Sequence, residues 1–83
     1  YAPESGRLLT IYTTQPGVQV YTGNWLVGCP EGKNGHMYND YDGIAIECQN
    51  YPDGPNKPEY PNCVLRPGEV YEQAIIFAFG VRK

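Results

Sequence analysis

An all-β fold, a fragment of a sandwich or barrel, is predicted by three observations. The apolar residues alternate at period two in several short runs, as in Val18–Tyr21 and Gly43–Gln49. Ten glycines and eight prolines punctuate the 83 residues at turn-like intervals. No stretch sustains the three-to-four-residue repeat of an amphipathic helix, so no helix is expected anywhere.

The elements follow in order. Tyr1–Gly6 reads as a turn or a ragged start, because Pro3, Ser5 and Gly6 are turn formers. Leu8–Thr14, rich in Ile, Tyr and Thr, predicts a strand. Gln15-Pro16-Gly17-Val18 carries Pro and Gly at the two central positions of a type II turn, where Gly17 would take a positive φ. Val18–Thr22 resumes the extended pattern, with Val18 and Val20 on one face and Gln19 and Tyr21 on the other. Gly28–Asp42 has no period and reads as irregular. Gly43–Gln49 is the central strand, with Ile44, Ile46 and Cys48 pointing one way and Ala45, Glu47 and Gln49 the other. Asn50–Asn62 holds four prolines and excludes a regular element. A short strand is expected at Cys63–Arg66, then a second Pro-Gly turn at Arg66–Glu69. Val70–Phe79 is the longest extended run, and both its faces become apolar towards the end, as in a strand covered on both sides. Four or five such strands bury too little surface for this much loop. The chain is therefore expected to be part of a larger β-protein or to need a partner chain.

Composition narrows the function classes. The net charge is −3 with charges scattered, so no basic stripe invites nucleic acid. No long apolar run or secretory leader pattern is present, and neither a membrane span nor export is expected. Cys29, Cys48 and Cys63 are odd in number and lack a CxxC pair, which suits free thiols in a reducing, cytoplasmic setting.

Among candidate site residues, Glu47 stands out. A lone carboxylate between Ile46 and Cys48 is costly on a dry face, so its face is either wet surface or a polar pocket where it would serve as general acid or base. Gln19 can donate to and accept from hydroxyls, or it is a surface glutamine. His36 could pair with Cys29 or Cys48 as a nucleophilic couple, but the spacing gives this no support. Three cysteines and one histidine lack the close ligand pair that nucleates a zinc site, so no metal is expected. Asp53 and Asn56 read as turn residues whose side chains bond nearby backbone. Trp25 reads either as core or as a stacking platform for a sugar.

Three stretches, taken together, resemble a known family. They are Thr13-Thr14-Gln15-Pro16-Gly17-Val18-Gln19-Val20-Tyr21-Thr22-Gly23-Asn24-Trp25-Leu26, then Ile46-Glu47-Cys48-Gln49-Asn50-Tyr51-Pro52-Asp53 with Asn56, Pro58 and Pro61, then Leu65-Arg66-Pro67-Gly68-Glu69-Val70-Tyr71. In order and spacing they resemble the galactose mutarotases (aldose 1-epimerases), the animal-type enzymes most, over roughly Ser5 to Phe79. The resemblance implies a galactose mutarotase-like antiparallel β-supersandwich several times longer than this chain. Residues 1–83 would be the C-terminal segment of that single domain and not an independent one. It implies interconversion of the α and β anomers of galactose or glucose without cofactor or metal. Glu47 would be the general base and Gln19 a sugar-binding residue. The family's acid histidine, a second histidine, an arginine and an aspartate belong to earlier parts of the family chain, and His36 matches neither histidine. The partners implied are a hexose and the remainder of the mutarotase chain, and the isolated segment would be inactive. Cys48 departs from the threonine usual in the animal-type pattern. The alternative is a non-catalytic mutarotase-like module that binds a sugar or a protein.

Overall fold

A computed structural model describes all residues, Tyr1–Lys83. The chain is all-β and antiparallel, with no α-helix and only two short 3₁₀ turns, Lys33–Gly35 and Gly54–Asn56. Its four strands form two separate ribbons. Strand β1 (Arg7–Thr13) pairs with β4 (Ile75–Val81), from Arg7 opposite Val81 to Thr13 opposite Ile75. Strand β2 (Gly17–Tyr21) pairs with β3 (Ala45–Gln49), from Gly17 opposite Gln49 to Tyr21 opposite Ala45. β-branched and aromatic residues dominate β1, β2 and β4, as suits a pleated surface.

The short link Thr14–Pro16 does not make a hairpin, because it passes the chain from one ribbon to the other. This corrects the first Pro-Gly turn. Gly17 does not take a positive φ; it is the first residue of β2. What it supplies is room, since a Cβ there would stand 2.7 Å from the Tyr51 ring. The second Pro-Gly turn forms as expected: Gly68 has φ +87°, and the Glu69 N–H donates to the Arg66 carbonyl at 3.1 Å. The Arg66 N–H in turn donates to Glu69 Oε1 at 2.9 Å.

Three strand expectations differ more. Cys63–Arg66 has no ladder partner and is not a strand. Its Val64 N–H is satisfied locally by Asn62 Oδ1 at 3.0 Å. The last strand begins at Ile75, not Val70. The residues just before it run beside the end of β1, where the Thr14 N–H still donates to the Ala74 carbonyl at 3.1 Å and side chains make the other bonds. The Ala74 N–H donates to Thr14 Oγ1 at 3.0 Å, the Thr14 hydroxyl donates to Gln73 Oε1, and the Gln15 amide donates to the Tyr71 hydroxyl. A hydroxyl standing in for a ladder carbonyl ends regular pairing there. The central strand starts two residues later than expected, at Ala45, and just before it the Gly43 carbonyl closes on the backbone of Gly23.

That approach of Gly23 and Gly43 yields a test. Gly23 has φ +76°, and a Cβ on it would lie 2.6 Å from the Gly43 carbonyl oxygen. Gly23→Ala combines left-handed backbone with a backbone clash, each of a kind that costs about 1–3 kcal/mol. The intact protein carrying it is expected to lose about that much stability in a urea melt.

The burial pattern carries the main message of the fold. Only Gly6, Gly23 and Gly54 are buried, and no hydrophobic side chain is. The accessible surface is 7153 Å², whereas a folded monomer of this mass exposes about 5,000 Å². The radius of gyration is 17.1 Å, against about 12 Å for a compact chain of this length. Backbone–backbone hydrogen bonds number 27, near half of the roughly 55 that a folded chain of this length makes. Both faces of β4 are apolar and exposed, Phe79 at 80%. The strand expected to be covered on both sides has no cover within residues 1–83. No helix is long and apolar enough to cross a membrane.

Candidate active-site face

Strand β2 is extended because Val18, Val20 and Tyr21 favour the pleat, and β3 because Ile46 and Cys48 do. Pleating then sorts their side chains. Val18, Val20, Ile46 and Cys48 share one face, and Gly17, Gln19, Tyr21, Ala45, Glu47 and Gln49 share the other. The register places Gln19 directly opposite Glu47, which sets their Cβ atoms about 4.5–5.5 Å apart. The two expected site residues, 28 positions apart in sequence, thus form one cross-strand pair.

Both side chains are exposed. The only ion pair in the chain joins Lys57 to Asp53 at 3.8 Å on the surface, so no cation of these residues neutralises Glu47. A carboxylate with free lone pairs, next to an amide that both donates and accepts, can grip a hydroxyl and take its proton. Cys48, on the opposite face, is a free thiol turned away from Glu47.

The remaining candidates fall elsewhere. Trp25 is 80% exposed, so it is not core, and its backbone N–H donates to the Tyr21 hydroxyl at 3.0 Å. His36 lies edge-on to Tyr38, ring centres 5.0 Å apart, and bonds to no thiol. No three His, Cys, Asp or Glu side chains converge as metal ligands. Asp53 and Asn56 bond each other's side chains at 2.6 Å and not backbone, correcting the expectation for them. Asp53 itself takes the left-handed backbone, φ 62°, at the start of the second 3₁₀ turn. Its residue type tolerates that conformation.

One contact at this face escaped the sequence reading. The Tyr51 ring lies against the bare Cα of Gly17, in the side-chain row that Gln19 continues. Tyr60 packs edge-on against Tyr51, centres 5.2 Å apart and planes at 83°. The available signal was Gly17 itself, since glycine at a strand position often marks a close approach.

These features define an antiparallel β-segment that presents a carboxylate–amide pair on an open face. The aldose 1-epimerase family model matches residues 1–78. The chain is 53% identical over 77 residues to the galactose mutarotase of Mus musculus, which is 93% of this chain and 22% of that protein. The Homo sapiens galactose mutarotase gives the same identity and coverage. The aldose 1-epimerase of Escherichia coli (strain K12) is 44% identical over 73 residues, 86% of this chain and 21% of that protein. The chain belongs to the aldose 1-epimerase family, and it spans about a fifth of the length of the curated relatives it matches.

Proposed function

We propose that this chain is the base-bearing, C-terminal segment of a cytoplasmic aldose 1-epimerase that interconverts the α and β anomers of galactose or glucose. The observation that carries the reading is the register of Gln19 opposite Glu47. Anomer exchange requires loss of the C1 hydroxyl proton while the ring oxygen gains one. The ring C1–O bond then breaks to give the open aldehyde, rotation about C1–C2 turns the other carbonyl face inward, and closure reverses the proton movements. Glu47 takes the C1 hydroxyl proton and returns it on closure. Gln19, across the ribbon, bonds a sugar hydroxyl and holds the ring over the carboxylate. The acid that protonates the ring oxygen comes from the rest of the domain, as does the cover over this open face. No cofactor is required for these steps.

The test is polarimetry on freshly dissolved α-D-galactose with the intact protein. Anomerisation faster than in buffer is expected. Gln19→Ala removes one neutral hydrogen bond, so KM should rise about 3–10-fold with a smaller change in kcat. Sugar that binds with no acceleration would instead favour a non-catalytic module of the same fold.

A further inference from the structure

We propose that the Tyr51 ring is the aromatic wall of this site, a specificity-determining contact for the C–H face of the bound pyranose; this rests on the epimerase reading above. The placement comes from an exchange between two residues. Gly17 has no side chain, and Cδ1 and Cε1 of Tyr51 lie 2.7 and 2.9 Å from where its Cβ would stand. The ring therefore takes the place of a β2 side chain, opposite Gln49 and in the row of Gln19. The next pair in that row, Gln19 and Glu47, is about 7 Å further along the ribbon. The result is a floor of carboxylate and amide with an aromatic ring rising at one end.

The wall is held rigidly. Tyr60 backs it edge-on at 5.2 Å. The loop carrying both rings is stiffened by Pro52, Pro55, Pro58 and Pro61, and Gly54 is buried within 3.2 Å, measured from its notional Cβ, of the Cys63 sulfur. Yet Tyr51 remains 39% exposed, so part of the ring faces open space. Pyranoses carry hydroxyls at their rim and C–H groups on their faces. A sugar whose hydroxyls reach Glu47 and Gln19 would turn C–H groups towards that ring. The contact is apolar and geometric, so it sorts sugars by which ring positions bear axial hydroxyls, and it takes no part in proton transfer.

Galactose kinetics in the intact protein test this. Tyr51→Ala is expected to raise KM about 3–10-fold, with kcat and its pH profile unchanged. Tyr51→Phe, which keeps the ring, should keep KM. Gly17→Ala, which drives the ring off its seat, should reproduce the KM rise. A fall in kcat at unchanged KM, or a lowered melting temperature alone, would show that the ring only props the loop. Should Tyr51→Ala fail to fold, fluorotyrosine at position 51 of the otherwise unaltered protein provides the readout. Its ¹⁹F resonance should move as galactose saturates. Galactose that is bound and turned over without moving that resonance overturns the wall and leaves the epimerase reading standing, whereas galactose neither bound nor turned over removes both.

Discussion

Glu47→Gln in the intact protein is expected to reduce kcat for galactose mutarotation by about 10²–10⁴-fold, the usual contribution of a positioned acid–base group. The substitution isolates proton transfer from everything else at the site. Glutamine has nearly the same shape and can still bond a sugar hydroxyl, so KM should change little. It cannot accept the C1 proton. The fold should tolerate it, because Glu47 is exposed and the chain's single ion pair lies elsewhere, between Lys57 and Asp53. No buried charge is stranded by the change, and the position opposite Gln19 keeps a polar neighbour. Stopped polarimetric traces, with circular dichroism as the control for folding, give the result. Turnover close to that of the unsubstituted protein would remove Glu47 from the base role.

The two halves of this site were legible to different degrees. Period-two alternation in Val18–Tyr21 and Gly43–Gln49 correctly separated Gln19 and Glu47 from the valines, Ile46 and Cys48. Alternation says which face a residue occupies, not which strand lies beside it. The pairing of Gln19 with Glu47 depends on a choice of register across the irregular segment Gly28–Asp42, and nothing local encodes that choice. Gly17 shows a second kind of limit. Pro16-Gly17 has the composition of a type II turn, but the ring of Tyr51, 34 residues away, supplies another reason for glycine. A local rule was overruled by a distant contact. Cys63–Arg66 failed for a related reason, because extended residues become a strand only where a partner strand is available. The lack of closure was legible, since it follows from counting apolar strands against the cover they need. The exposed faces of β4 are that deficit in structural form.

From that deficit comes the second large effect: the 83 residues alone are expected to show no cooperative unfolding transition. Hydrophobic burial is the main force that offsets the chain entropy lost on folding. Here no apolar side chain is buried, and 7153 Å² of surface remains in water. Each ribbon has only two strands, and such pairs are marginal in water without a third strand or a packed face. The β1–β4 ribbon must also close a loop of roughly 60 residues, which costs on the order of 3–4 kcal/mol beyond a constant term. Its own hydrogen bonds return about 1 kcal/mol each at best, and the backbone entropy of both strands is charged against them. Dispersed amide signals and a sigmoidal urea melt from the isolated chain would contradict this. On the function proposed above, mixing it with the remainder of that domain should restore both, along with mutarotation, because the same apolar faces that cannot fold alone then find their cover. Restoration of folding without activity would separate the two roles. The strands would still be completing a sandwich, and the Gln19–Glu47 face would be binding sugar without turning it over.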